Sequence, residues 1–243
     1  MEKNNLSRET QILQYGARIH GRRIDIPETV PIYLTTAFTV PDLDEVAALY
    51  RDKGYAYIRT RNPNRNSLAD LMTYLENGES SLICTSGMAA ISTTLFSMLE
   101  DGDHILSNCT LYGETLELLN KHLPKYGIEV TIVDFTNLEE IKNDIKPNTK
   151  IVYTEIISNP MITVVNIEDI AKISNDNNAK FVVDNTFATS LVIRPLEFGA
   201  DVVINSLTKF ANGHSDVCAG SITASVNKLL IMHITYKFYL AVR

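Results

Sequence analysis

The sequence predicts an α/β fold built on a mainly parallel sheet, and three observations carry that expectation. Short β-branched runs such as Phe181-Val-Val and Val202-Val-Ile stay apolar along both faces until their last positions, as strands covered on both sides do. Such runs alternate with segments of helical length, which implies parallel pairing through right-handed crossovers. With 243 residues, 45% of them hydrophobic and 21% charged, the chain can bury a substantial core.

Taken in order, the elements begin with an extended amino-terminal arm reaching to about residue 55. Residues 56–243 then read as one large α/β domain. Ser81-Leu-Ile-Cys is a short strand, Ser86-Gly87 a tight turn, and Met88-Ala-Ala-Ile the start of a helix. His104-Ile-Leu-Ser is a strand, 115–126 a helix, 129–134 a strand, 138–145 a helix and 150–155 a strand. A helix over 167–175 precedes the strand that ends at Asp184, and a last strand runs from Asp201 towards Lys209.

Two of these strands end in chemistry. Phe181-Val-Val-Asp184 delivers a carboxylate, and Asp201-Val-Val-Ile-Asn-Ser206-Leu-Thr208-Lys209 delivers two hydroxyls and an amine. Ligands of parallel sheets gather at the carboxyl ends of the strands. Alone, Lys209 would read as a solvated surface lysine, but Ser206 and Thr208 accompany it. A lysine forms Schiff bases with carbonyl compounds, and a buried carboxylate is the usual partner of a pyridinium nitrogen. That pairing points to pyridoxal 5'-phosphate. Its phosphate needs a cradle, which the strand-turn-helix of Ser86, Gly87 and Met88 offers through free amides at a helix start. Without its company this segment is an ordinary strand-to-helix turn.

Composition narrows the alternatives. A formal charge of -7 argues against a nucleic-acid partner, and the basic stretch from Arg59 to Arg65 lacks the wider positive field such binding needs. The three cysteines, Cys84, Cys109 and Cys218, are scattered, and the five histidines are isolated, so neither a disulfide framework nor a metal site is expected. The polar start of the chain has no secretion signal, and no apolar run approaches the roughly 20 residues of a membrane span. A cytoplasmic protein with no membrane partner is the expectation.

These motifs occur together in an order that resembles the Cys/Met-metabolism pyridoxal-phosphate enzymes, the family of cystathionine gamma-synthase, cystathionine gamma-lyase and methionine gamma-lyase. The likeness runs from His20-Gly21 and Pro31-Ile-Tyr-Leu-Thr-Thr-Ala-Phe38 through Tyr57-Ile-Arg59, Leu75-Glu76, Ser86-Gly87-Met88 and Tyr112-Gly113. It continues through Asn159-Pro160 and Asp184 to Ser206-Leu-Thr-Lys209 and Gly213-His-Ser-Asp216. The resemblance implies the large domain of the aminotransferase-like fold (fold type I), a three-layer αβα arrangement. It assigns Lys209 to the covalent bond with the cofactor, Asp184 to the pyridine nitrogen, Tyr112 to the ring face and Asn159 to the ring hydroxyl. It also implies that Tyr57 and Arg59 reach the phosphate of a neighbouring subunit, so that the arm over 1–55 serves a homodimer or homotetramer with shared sites.

Departures from the family pattern bear on the reaction. Family members continue past the lysine into a further α/β domain, expected to be lacking in a chain that stops at Arg243; that domain carries the arginine which clamps the substrate carboxylate. Residues 228–243, apolar and basic, read as the first helix after the site. Glu114 stands where methionine gamma-lyases often have cysteine, Ile157 stands where the family often has proline, and Ala219 replaces a frequent glycine. The resemblance implies an enzyme of sulfur amino-acid metabolism, foremost a carbon-sulfur lyase performing γ-elimination on a methionine- or cystathionine-like substrate. A γ-replacement synthase acting on an activated homoserine ester, and an inactive cofactor-binding remnant, are the alternatives.

Overall fold

A computed structural model describes residues 7–16, 29–51 and 54–224, and the chain divides into two compact units, Met1–Tyr74 and Leu75–Arg243. The expected helix over 228–243 and the His20-Gly21 motif lie outside the described residues.

The first unit holds three helices, α1 (Arg8–Gly16), α2 (Leu43–Arg51) and α3 (Pro63–Leu75). The arm is therefore not extended throughout. Side-chain caps start these helices: Ser7 Oγ accepts from the Thr10 N–H at 3.3 Å, and Asp42 Oδ1 accepts from the Glu45 N–H at 2.8 Å. Asn62 caps α3 in the same way, accepting from the Asn64 N–H at 2.9 Å, and Pro63 suits the first helical position because its missing donor has no helical partner there. Over the described residues 30–35 the chain forms no helix and is held by Asn64, whose side chain accepts from the Tyr33 N–H at 2.9 Å and donates to the Pro31 carbonyl at 2.7 Å.

The second unit is a seven-stranded sheet flanked by helices. In chain order it comprises β1 (Ser80–Cys84), α4 (Gly87–Met98), β2 (His104–Asn108), α5 (Gly113–Glu117), β3 (Glu129–Val133), α6 (Leu138–Asp144) and β4 (Thr149–Glu155). Then follow α7 (Ile167–Asp176), β5 (Lys180–Asp184), α8 (Thr189–Val192), β6 (Val202–Ser206) and β7 (Gly220–Ala224). The order across the sheet is β1-β7-β6-β5-β4-β2-β3. Every pair is parallel except those of β7, which opposes both β1 and β6.

Strand alternation sends side chains into two separate cores. One face carries Ile105, Ile151, Tyr153, Val182, Val202, Ile204 and Ile222 and packs against Ala90, Ile91 and Leu95 of α4, with Leu119 and Leu123 beyond α5. The other carries Leu106, Val152, Phe181, Val183 and Val203 and packs against Ile141 of α6 and Ile167, Ile170 and Ile173 of α7. A three-layer αβα domain results, as the double-sided apolar strands predict.

Two elements differ from expectation. The helix expected over 115–126 is regular only through α5; it widens into a π turn over Leu118–His122 and tightens into a 3-10 turn over Leu123–Tyr126. Pro124 cannot donate to the helical ladder, and Gly127 at φ +73° ends the segment. The other is β7, a strand beyond those expected: its small polar residues leave Ile222 as its one large apolar side chain, although all its residues are buried.

Candidate functional site

One edge of the sheet gathers the polar ends of the strands. β4 ends at Glu155, β5 at Asp184 and β6 at Ser206, while the antiparallel β7 begins at Gly220 beside Ser206 and Cys84. Glu155 lies directly opposite Asp184 in the ladder. Period-two alternation puts Glu155, Asp184 and Ser206 on the sheet face covered by α4, where Tyr153, Val182 and Ile204 form the core beneath them. The sequence places the acid and the hydroxyl at strand ends; the register sets Asp184 opposite Ile204, so Ser206 stands two residues further along on the same face.

The start of α4 meets this edge closely. Ser86 caps the helix, its Oγ accepting from the Ala89 N–H at 3.0 Å, which leaves the Gly87 and Met88 N–H groups at the open helix end. A Cβ on Gly87 would fall 2.6 Å from Ser206 Cβ, and one on Gly220 would fall 2.2 Å from the Ser86 carbonyl oxygen. Both positions call for glycine, because at Gly87 the added atom would meet the Ser206 side chain at its root and at Gly220 it would meet the backbone of Ser86. The helix dipole and two oriented amides thus lie against the Ser206 side chain, an arrangement suited to an anion such as phosphate.

Beyond β6 the chain turns, with the Lys209 N–H donating to the Ser206 carbonyl at 3.2 Å. Thr208 is fixed to the stretch before β7: its Oγ1 accepts from the Ala219 N–H at 3.1 Å. Lys209 stands three positions past the last strand residue, with its side chain exposed at the carboxyl edge. Ala219, which stands where the family often has glycine, is not among the residues with positive φ; the position that crowds a methyl against backbone is the next one, Gly220.

The acidic pair is buried. Asp184 accepts from the Thr186 N–H at 2.9 Å, yet burial pushes its carboxyl above the usual carboxylate range. Among the described residues no cationic side chain forms an ion pair with it. A carboxylate so placed suits a cationic N–H arriving from outside the protein, which is the demand a protonated pyridine ring would meet. Glu155 is pushed up to about 7, first by burial and then by the neighbouring Asp184, while its hydrogen bond from the Tyr112 N–H, 2.7 Å to Oε1, opposes the rise. The Tyr153 hydroxyl below the pair has no hydrogen bond of good geometry, although Asp184 and Thr115 lie near enough to influence it.

Tyr112 leads into α5 and is 53% exposed, so its side chain is available to a flat ligand at the edge. Met88 is half-buried behind the helix start, its sulfur accepting from Thr115 Oγ1 at 3.9 Å. Asn159 is exposed in the loop after β4, just before the cis Asn159-Pro160 bond. Tyr57 and Arg59 belong to the first unit, where the guanidinium lies 5.3 Å from the Tyr57 ring centre.

Three residues outside the sequence-derived set also shape this edge. Thr186 Oγ1 accepts from the Ser206 N–H at 2.7 Å, tying the end of β6 to the second residue past Asp184. Glu76 is fully buried and accepts from Asn185 Nδ2 at 3.2 Å and Asn205 Nδ2 at 2.8 Å, each amide adjoining a site residue. Glu155 is the third. Its signal in the sequence is the same as that of Asp184, a carboxylate closing an apolar strand.

Comparison with known proteins is consistent over most of the chain. The family described as Cys/Met metabolism PLP-dependent enzyme matches residues 9–237. The L-methionine gamma-lyase of Fusobacterium nucleatum subsp. nucleatum is 43% identical over 194 residues, which are 79% of this chain and 49% of that protein. The cystathionine gamma-lyase of Lactobacillus plantarum, solved with L-serine, superposes with a TM-score of 0.86 at 33% identity, covering 95% of this chain and 58% of its own. A putative O-acetylhomoserine (thiol)-lyase from Campylobacter jejuni, solved with pyridoxyl-lysine-5'-monophosphate, gives 0.82 at 29% identity over 91% of this chain and 55% of its own. The chain spans about half the length of the curated relatives it matches.

Proposed function

The chain belongs to the Cys/Met metabolism PLP-dependent enzyme family, and from that premise we propose that it takes part in a carbon-sulfur lyase, eliminating a thiol from the γ-carbon of a methionine- or cystathionine-like amino acid. The observation that carries the reading is the shared sheet edge. A buried Asp184 with no ion-pair partner among the described residues, the open helix start at Gly87 and the strand-end Ser206 lie on one side of the sheet, with Lys209 in the turn beyond.

In this reading the Gly87 and Met88 amides, with the Ser86, Ser206 and Thr208 hydroxyls, hold the phosphate of pyridoxal 5'-phosphate. Asp184 holds the ring N–H, and Tyr112 covers a ring face. Asn159 serves the ring hydroxyl. When bound, the cofactor supplies an electron sink for the substrate's α-carbon. Lys209 Nζ would hold the cofactor covalently, and as a free amine it would carry protons between the substrate's α, β and γ positions. The Tyr112 hydroxyl, on the exposed side of the ring, is available to donate or accept a proton near the substrate.

The same reading makes the amino-terminal arm, with Tyr57 and Arg59, a contribution to the phosphate site of a second copy in a homodimer or homotetramer of the cytoplasm. A second reading, γ-replacement on an activated homoserine ester, is favoured by the likeness to the O-acetylhomoserine (thiol)-lyase and uses every residue named above.

Visible absorption of the purified chain with pyridoxal 5'-phosphate, followed by borohydride reduction and peptide mapping, tests the proposal. The expected adduct is on Lys209 and is lost in Lys209→Ala; an adduct elsewhere, or none, overturns it. Release of ammonia, a keto acid and a thiol without an added nucleophile supports elimination, whereas dependence on cysteine or sulfide supports replacement.

A further inference from the structure

Glu155 is assigned no role by the function proposed above, although it is 8% exposed, lies beside Asp184 in the ladder and takes the Tyr112 N–H at 2.7 Å. A carboxylate at this place has a cost that a neutral side chain would not. It removes a charge from water and sets it next to a second carboxylate on the adjacent strand. Two contacts give it work at that cost. The first is the bond to the Tyr112 amide, which anchors the residue whose carbonyl accepts from the Thr115 and Leu116 N–H groups at 3.0 and 3.1 Å to begin α5. The second is the Asp184 field, which reaches it across the ladder.

We propose that Glu155 is a positioning residue that fixes Tyr112 through its backbone N–H and couples that anchor to the charge on Asp184. The roles of Tyr112 and Asp184 towards the cofactor rest on the function proposed above; the coupling between the three residues does not. Among the described residues, the titratable side chains that act on Glu155 are Asp184 from β5 and Tyr153 from its own strand, Tyr112 meeting it through its backbone N–H, while β2 ends in the uncharged Ser107 and Asn108. A cation reaching Asp184 therefore lowers the repulsion on Glu155, favours its ionised form and strengthens the hydrogen bond that holds Tyr112, since an ionised acceptor makes the stronger bond. Binding at the ring-nitrogen position thereby firms the residue that covers the ring face.

The test reads the Tyr112 backbone amide by 15N NMR on the full chain without cofactor, from about pH 5 to about pH 9. Its shift is expected to titrate with a midpoint near 7, to stop titrating in Glu155→Gln, and to move to a lower midpoint in Asp184→Asn. A flat Tyr112 shift, or one that titrates unchanged in either variant, overturns the proposal. Adding pyridoxal 5'-phosphate supplies the second readout. Glu155→Gln, which keeps an acceptor oxygen, should bind it within a few-fold of the parent, and Glu155→Ala about tenfold more weakly. Equal affinity of all three proteins overturns the role of Tyr112 at the cofactor, and the titration decides the coupling. If the parent chain binds no pyridoxal 5'-phosphate, the proposed function fails, and the cofactor-free titration still decides this inference.

Discussion

Gly220 shows how closely the residues of this edge are packed. A methyl there would meet the Ser86 carbonyl oxygen at 2.2 Å and its carbon at 2.7 Å, and backbone atoms cannot swing aside as a flexible side chain can. Gly220→Ala should therefore push β7 from the start of α4, costing about 2 kcal/mol in urea unfolding and weakening pyridoxal 5'-phosphate binding. Gly113→Ala is the control, because no atom lies within 4 Å of its added Cβ; its urea midpoint should barely move. Residues of this kind were half legible. Asp184, Ser206 and Lys209 declare themselves by polar chemistry at the end of apolar runs, whereas the need for glycine at 220 comes from a turn more than 130 positions away in the chain. Glu155 carried the same local signature as Asp184, and only the ladder shows that the two carboxylates are neighbours.

At the scale of elements, β2 begins with a buried histidine that joins it to both neighbouring strands. His104 Nδ1 pairs with Thr149 Oγ1 at 2.7 Å at the start of β4, and Nε2 with Thr131 Oγ1 at 2.8 Å in β3. Burial, then the nearby Lys146, push its imidazole down to about 4 from an ordinary 6.5. The unfolded chain then binds this proton before the folded one does, so the contribution to stability is complete above 6.5 and is lost as the pH falls towards 4. Glu155, raised to about 7, acts in the opposite sense: its contribution is complete below the ordinary 4.5 and is lost as the pH rises through 7. A variant isolates the first effect. Relative to the parent, His104→Gln should gain on the order of 1–2 kcal/mol in urea unfolding between about pH 7 and about pH 4.5, after discounting for screening. A constant difference across that range would refute it. Element boundaries within the sheet were mostly legible, because period and composition are local properties. The breaks in the helix after α5 trace to Pro124, and β7 escaped notice because burial, not hydrophobicity, makes its small residues a strand.

At the scale of the second unit, Glu76 links distant parts of the chain. Its buried carboxylate, one residue past α3, takes the side-chain amides of Asn185 after β5 and Asn205 within β6. Glu76→Ala removes this acceptor from the Asn205 amide and leaves the Asn185 amide with its bond to the Ile193 carbonyl at 3.0 Å, and the unit should lose about 2–4 kcal/mol in urea unfolding. A loss below about 0.5 kcal/mol would show that water replaces the carboxylate without penalty. What the sequence by itself determined is the alternation of buried strands and helices, and the acid, hydroxyls and amine that close those strands, because each is written in a few consecutive residues. What only the tertiary structure decided is which ends meet. The insertion of β7 between β1 and β6, the pairing of Glu155 with Asp184 and the clamp at Glu76 depend on strand order and register, which join residues far apart in sequence and have no local pattern to announce them.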